Sequence, residues 1–304
     1  MLDLADRLAQ IVGHSPLTYL PDPFPTPVPI RLYLKRDELL HPLVSGNKWR
    51  KLKYNLLAAQ QQGISTLLTF GGAYSNHLHA TAAAGRLFGF RTIGVVRGDE
   101  LAGSPDRARP LNPTLAFCRE QGMHLHFVSR DDYRHAADPA YLSGLEARFG
   151  PFYSVPEGGT NALAVRGTAE IMPEIIGQLS TLPHTVACSV GTAGSLAGLI
   201  EAAPAAVRVL GVSALKGEPV FPILPGTLPP NVGINTDYHF GGYARTTPAL
   251  LDFIRAFEGR TGILLEPTYT GKLLYALYEL ARQEYFPHNA AVVAVHTGGL
   301  QARK

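Results

Sequence analysis

Apolar residues fall along the chain in short dense runs: "TLLTF" (66–70), "RTIGVV" (91–96), "HLHFV" (124–128), "TVACSV" (185–190), "VRVLGVS" (207–213) and "AAVVAVH" (290–296). Each has the length of a strand and predicts a buried one. Between them, 47–62, 76–88, 112–121, 161–179, 194–203, 247–258 and 271–284 are amphipathic or Ala-rich and predict helices. Strand–helix alternation with few hairpin signals predicts an α/β fold with parallel sheets. Two stretches interrupt the rhythm. Residues 99–113 read as a surface loop. Residues 215–246 are rich in Pro and Gly and have no period, and a loop that long is usually functional or disordered. Its aromatics, Phe221, Tyr238, Phe240 and Tyr243, favour an ordered one.

At 304 residues and 46% hydrophobic, the chain suffices for one large core or two smaller ones. A net charge of +3 without long basic blocks argues against a nucleic-acid surface but suits a small anionic ligand. Cys118 and Cys188 are the only cysteines, so no disulfide framework is expected, which suits a reducing cytosol. The N-terminal "MLDLADRLAQIVGHSPL" lacks the form of a signal peptide, and no apolar run has the length of a membrane span. The expectation is a cytoplasmic protein with neither membrane nor nucleic-acid partners.

Candidate chemistry lies where elements meet. In "VSGNKWRKLK" (44–53) a Ser-Gly-Asn turn delivers Lys48 into the start of a basic helix, against the preference of a helix N-terminus for anions. A Schiff-base lysine needs a fixed position and a lowered pKa, which desolvation and nearby cations such as Arg50, Lys51 and Lys53 would supply. In "FGGAYSNHLHA" (70–80) a strand ends in Gly-Gly and Ser75-Asn76 opens a helix, offering free N–H groups to an anion. His77 and His79 are two apart, not the i, i+4 spacing of a metal pair on one helix face, and no metal is expected. In "VACSVGTAGSLAGL" (186–199) a strand, a Gly-rich turn and a helix form the architecture of a phosphate cradle. Its glycine spacing is neither GxGxxG nor a nucleotide P-loop, which disfavours NAD and ATP and leaves a single phosphate well suited. "EPTYTGK" (266–272) and "VHTGG" (295–299) place Tyr269 and Thr297 where a strand-end crevice would bind a ligand.

Taken in order, these stretches resemble the pyridoxal 5'-phosphate enzymes of the tryptophan-synthase β-like fold. More narrowly, they resemble the 1-aminocyclopropane-1-carboxylate (ACC) deaminase and D-cysteine desulfhydrase family, over nearly the whole chain. "SGNKWRKL" resembles the lysine segment and implies Lys48 as the Schiff-base lysine. "GGAYSNH" implies Ser75 as a substrate-contacting hydroxyl and Asn76 as partner of the pyridoxal 3-oxygen. "SVGTAGSLAG" implies Gly191, Thr192, Ala193, Gly194 and Ser195 as the phosphate loop. "EPTYTGK", like the family's "DPVYxGK", implies Tyr269 as an active-site tyrosine, and Tyr243 matches a second. The resemblance also implies two open, twisted, parallel-rich sheets with helices on both faces. A large cofactor-binding domain would take 1–50 and 156–304, a small inserted domain 51–155, and the protein would form a homodimer.

The resemblance also bears on the reaction. Where ACC deaminases carry a glutamate after the tyrosine, near the pyridine nitrogen, this chain has Thr270, and Thr297 stands where deaminases tend to be apolar. The Thr–Thr combination resembles the desulfhydrase branch, and a neutral hydroxyl favours an unprotonated pyridine, sufficient to eliminate a good leaving group. The reading is α,β-elimination on a small D-amino acid, D-cysteine first. ACC deamination or another D-amino-acid lyase is the alternative within the family. Tyr74 before Ser75 departs from the family's pattern and leaves D-serine or a chlorinated alanine open. A catalytically weak cofactor-binding protein is the reading outside enzymes; Lys48, Ser75, Tyr243 and Tyr269 together argue against it.

Overall fold

The computed structural model describes residues 3–11, 15–101 and 111–303. The chain begins with α1 (Leu4–Ile11), β1 (Leu17–Leu20), β2 (Ile30–Lys35) and α2 (Asn47–Gln61). It continues through β3 (Thr66–Gly71), α3 (Asn76–Phe88), β4 (Arg91–Arg97), α4 (Pro113–Glu120), β5 (His124–Val128), α5 (Arg130–Tyr133), α6 (Pro139–Phe149) and β6 (Tyr153–Val155). Then come α7 (Ala162–Ala169), α8 (Ile171–Gln178), β7 (Thr185–Val190), α9 (Gly194–Ala202) and β8 (Arg208–Ser213). The chain closes with β9 (Val232–Asn235), α10 (Pro248–Thr261), α11 (Thr270–Arg282) and β10 (Ala290–Val295).

The strands form two sheets, ordered β1-β2-β10-β7-β8-β9 and β5-β4-β3-β6. Every pairing is parallel except β1 with β2. All six predicted strands are present, and the alternation of side chains on the interior ones shows why their runs are so apolar. On β10, Val293 and Val295 join the core under α8 and α9, while Val292 and Ala294 join the core under α10 and α11. On β3, Leu67 faces α2 and α3, while Leu68 and Phe70 face the opposite core with Tyr133 and Leu145. A strand covered by helices on both faces has no polar side to show.

Local chemistry sets the helix ends. Ser75, Asn112 and Thr247 cap α3, α4 and α10 through their side-chain oxygens, and Gly89 and Gly262 close α3 and α10 in the left-handed region. The helix predicted over 161–179 divides at Glu170 into α7 and α8. The long Pro/Gly segment is ordered. It contributes β9 to the edge of the large sheet, and Phe221, Tyr238 and Phe240 pack against the two cores of that sheet, while Tyr243 stays half exposed. Within the loop read over 99–113, residues 102–110 lie outside the described residues. Among the described residues, no helix is long and apolar enough to cross a membrane.

Candidate active site

Parallel strands deliver their following loops to one end of a sheet, and ligands of open α/β sheets bind there. The loops after β7 and β10 carry Gly191 and Thr297 to that end of the large sheet; the loops after β3 and β6 carry Gly72 and Gly158 to that end of the small one. The two ends face each other at close range. A Cβ on Gly158 would lie 2.8 Å from Thr192, one on Gly299 2.7 Å from Asn76 Nδ2, and one on Gly46 2.0 Å from the Thr297 carbonyl oxygen. Gly46, with φ +63°, therefore lets the turn before α2 press directly on the strand-end loop.

Lys48 lies in the first turn of α2 and lines a narrow cleft with Ser45, Asn76, His79, Thr297 and Gln301. Burial lowers its amine to about 8. The basic neighbours anticipated from the sequence mostly do not contribute. Arg50 is buried and paired with Asp37 (2.7 Å) and Glu174 (2.8 Å), and Lys53 is paired with Glu170 (2.6 Å). Their charges are neutralised, so desolvation, rather than a cationic neighbourhood, makes Lys48 reactive. The three other buried lysines are engaged: Lys35 by Glu174, Lys51 by three oxygens, and Lys272 by two carbonyls. Among the described residues, no hydrogen bond or ion pair occupies the Lys48 amine.

Lys51, one turn further along the same helix face, belongs to the site as well. Its buried Nζ donates to the Gly158 carbonyl (3.1 Å), Thr160 Oγ1 (3.0 Å) and Thr192 Oγ1 (3.3 Å). Burial first, then the neighbouring Lys48, hold its amine well below the ordinary lysine range. A buried ammonium without a carboxylate partner is balanced by an arriving anion. The turn Gly191–Ala193 and the N-terminus of α9 stand beside it, with Ala193 at φ +60°. A Cβ on Gly194 would lie 2.9 Å from both Lys51 Nζ and Thr160 Oγ1, so glycine keeps this cradle open. Ser195 Oγ accepts from Asn47 Nδ2 at 2.9 Å and keeps its own proton to donate. Free helix N–H groups, two hydroxyls and a desolvated cation fit a phosphate. Gly191, Thr192, Ala193, Gly194 and Ser195 run from the end of β7 into the first turn of α9, the strand–turn–helix order read from the sequence. Lys51 was foreseen only as a neighbour of Lys48; the i, i+3 spacing on one helix face was the available signal.

Ser75 Oγ accepts from the Leu78 N–H at 3.2 Å as the cap of α3. Asn76 Oδ1 accepts from Gln301 Nε2 at 2.8 Å, which joins the α3 N-terminus to the loop after β10. His77 is buried, with Nε2 2.8 Å from Thr69 Oγ1. Its Nδ1, beside Gly159, has no partner among the described residues. His79 stacks on Phe117 with ring centroids 3.8 Å apart, and burial pushes it down to about 4, so it lines the cleft as a neutral ring at physiological pH.

Tyr269 rests on the cradle: a Cβ on Gly191 would lie 2.9 Å from its hydroxyl. The rings of Tyr243 and Tyr269 meet edge to face at 6.1 Å. Burial, then Tyr243 and Glu266, push the Tyr269 phenol well above its usual range, so it stays protonated. Lys272 holds Tyr243 in place from behind, its Nζ donating to the carbonyls of His239 (2.8 Å) and Gly242 (2.7 Å). Thr297 Oγ1 lies 3.4 Å from Ser189 Oγ. Thr270 is buried and its hydroxyl is 3.2 Å from Glu266 Oε1. That carboxylate caps α11, accepting from the N–H groups of Thr268, Tyr269 and Thr270 at 2.6–2.7 Å. The neutral hydroxyl foreseen at 270 is therefore tied to a buried carboxylate, which the sequence reading had not weighed. Among the described residues there is no cluster of metal-ligating side chains.

The lowered amine yields a prediction. At pH 7 about one Lys48 amine in ten is neutral, against about one in three thousand for a solvated lysine. The neutral amine is the nucleophile, so binding of pyridoxal phosphate by the apoprotein accelerates as pH rises and levels off above about 8. Stopped-flow absorbance checks this; a rate still climbing in proportion to hydroxide at pH 10 shows an ordinary lysine.

Comparison with known proteins gives a consistent picture. The family model described as pyridoxal-phosphate dependent enzyme matches residues 8–298. A bifunctional D-cysteine desulfhydrase/1-aminocyclopropane-1-carboxylate deaminase of Arabidopsis thaliana is 29% identical, over 97% of this chain and 80% of the relative. A D-cysteine desulfhydrase of Salmonella typhi is 28% identical, over 97% of this chain and 94% of the relative. A crystal structure described as an ACC deaminase homologue superposes with a TM-score of 0.82 at 25% identity, covering 99% of this chain and 96% of that one. The architecture is the tryptophan-synthase β-like fold expected from the sequence.

Proposed function

The chain belongs to the pyridoxal-phosphate dependent enzyme family, and we propose that within it the protein catalyses α,β-elimination on a small D-amino acid, D-cysteine first, giving pyruvate, sulfide and ammonia. The observations that carry the reading are an unengaged, desolvated lysine lining a narrow cleft and, one turn further along the same helix face, Lys51 set in a phosphate-shaped cradle of hydroxyls and glycines. Lys48 would hold the cofactor's aldehyde, and Lys51, Thr192, Ser195 and the α9 N-terminus its phosphate. When bound, the cofactor supplies a sink for the electron pair left at the substrate's α-carbon.

The rest falls to the side chains. The α3 N-terminus, with Ser75 and Asn76, takes the substrate carboxylate on its free N–H groups. The Lys48 amine, kept largely convertible between charged and neutral forms near pH 8, removes the α-proton. Tyr269 keeps its proton and stands ready to hand it to the departing sulfur, with Tyr243 at its edge. Thr297 and Thr270 border the site with neutral hydroxyls.

One observation favours ring opening of ACC as a second reading: the Glu266 carboxylate behind Thr270 offers a negative charge that Thr270 alone lacks. A panel of D-cysteine, L-cysteine, β-chloro-D-alanine, D-serine and ACC, assayed for 2-oxo acid, separates the two. The expected result is pyruvate from D-cysteine and β-chloro-D-alanine with ACC untouched. Sustained 2-oxobutanoate from ACC would establish the second reading instead.

A further inference from the structure

The turn that leads from β3 to Ser75 is flanked by two opposite charges that the elimination of D-cysteine does not use. Arg97 ends β4, and Glu157 lies two residues beyond the end of β6. In the small sheet these strands flank β3 on either side. The strand β3 runs into the Gly-Gly turn that leads to Ser75, so the two charges bracket that turn. The register continues Gly71 opposite Val96 into Gly72 beside Arg97, and a Cβ on Gly72 would lie 3.5 Å from Arg97 Nη2. The Ser75 N–H in turn donates to the Gly72 carbonyl at 3.0 Å.

Both side chains are exposed, and the Arg97 guanidinium is braced over the Tyr133 ring, 5.4 Å from its centroid. Neither forms an ion pair among the described residues, with each other or with a third group, and the Glu157 carboxylate accepts from the Tyr133 hydroxyl. Both nevertheless act on the same tyrosines. The phenols of Tyr133 and Tyr243 are raised by Glu157 and lowered by Arg97, with burial the larger cause in each. Tyr243 touches Tyr269, which rests on Gly191 of the cradle. Arg97 stands beside the turn that leads to Ser75, and Glu157 precedes Gly158, which packs on Thr192 of the cradle. Two unlike charges on either side of one turn match a ligand group that carries both signs.

We propose that Arg97 and Glu157 form a distal subsite for a zwitterionic leaving group, so that the substrates include D-cysteine thioethers whose departing thiol is itself an amino acid. The proposal rests on the elimination reading above. The chemistry balances without an added oxidant or reductant. The Cα–H and Cβ–S bonds break, the sulfur leaves with the C–S electron pair and takes one proton, and water releases the remainder as pyruvate and ammonium. Arg97 holds the leaving group's carboxylate, and Glu157 its ammonium.

The test uses the holoenzyme with S-methyl-D-cysteine, whose leaving group is uncharged, and D,D-lanthionine, whose leaving group is zwitterionic. Two charge-assisted contacts predict that kcat/KM for lanthionine exceeds that for S-methyl-D-cysteine by about 10-fold or more, through KM. In Arg97→Met and Glu157→Gln the ratio falls toward one. An unchanged ratio in both variants, or an equal loss for both substrates, overturns the subsite. Calorimetric binding of D,D-2,6-diaminopimelate separates this from the parent reading, because it has lanthionine's two ends but no leaving group. Binding that both substitutions weaken by about 10-fold supports the subsite even where no thioether is eliminated, and that combination would defeat the elimination reading alone. D-cysteine turnover with diaminopimelate binding unaffected by either substitution defeats the subsite alone.

Discussion

Lys48→Ala lowers elimination by about 10²–10⁴-fold, the range for loss of one positioned proton-transfer group, while the fold survives. The two halves of this expectation have separate physical grounds. Lys48 is the cleft lysine with a free amine, so no other side chain stands in the same place to take the α-proton. Its removal leaves no buried partner unsatisfied, because among the described residues nothing hydrogen-bonds to its amine. Lys48 as a whole is only partly buried. Circular dichroism and thermal melting of the apoprotein should therefore match the wild type while 2-oxo acid formation collapses. Parallel loss of both would make Lys48 a structural residue. The effect should extend to every substrate tested, since the lysine serves the α-carbon common to all of them.

Lys51→Met weakens pyridoxal phosphate binding by about 10–100-fold, the scale of one charge-assisted hydrogen bond to an anion, with little change in the stability of the apoprotein. The asymmetry follows from burial. Without the anion, burial and the neighbouring Lys48 disfavour the charged form of Lys51, which holds its amine well below the lysine range. Methionine fills a similar volume without that cost, and this offsets the three hydrogen bonds lost to Gly158, Thr160 and Thr192. With the anion present, only lysine supplies the countercharge. A cofactor-induced rise in melting temperature should accordingly shrink in the variant, since stabilisation follows the logarithm of ligand over dissociation constant. Unchanged cofactor affinity would remove Lys51 from the cradle. A large drop in apoprotein melting temperature would show that its hydrogen bonds outweigh the desolvation.

The same contrast between local and tertiary information marks what the sequence disclosed. Five of the predicted strands, β3, β4, β7, β8 and β10, were legible because they lie inside their sheets with both faces covered, so the chain spells each as a dense apolar run, whereas β5 is an edge strand that buries only Val128 fully. β6 is three residues long, and β9 stands alone in a Pro/Gly segment with only half-buried residues; neither leaves a pattern. α6 buries only Leu145 fully, so it has little apolar stripe to read. The division between α7 and α8 falls at Glu170, which keeps helical angles (φ −61°, ψ −20°); Pro173 in the first turn of α8 has no N–H to bond back to Ala169, a signal within the continuous helix predicted over 161–179.

The site shows the same limits. Lys48, Ser75 and the turn from Gly191 to Ser195 sit at element boundaries where turn residues, caps and glycines are visible in one dimension. The fate of the charges was not visible. Arg50 and Lys53 look like neighbours that activate Lys48, yet Asp37 and Glu170 neutralise them from distant points in the chain. Lys51 looks equivalent to them and is not, because its surroundings are hydroxyls and a carbonyl. Thr270 reads as a neutral side chain, although Glu266, four residues before it in "EPTYTGK", sets a carboxylate against it at the start of α11. Gln301 reaches Asn76 from the far end of the sequence, a contact no local pattern encodes.

The central claim is that Lys48 carries the cofactor. Borohydride reduction of the holoenzyme followed by peptide mapping tests it most directly. The account predicts one stable pyridoxyl group, on Lys48 in the peptide "VSGNK". A label on Lys51, or on Lys272 behind the Tyr243 loop, contradicts it.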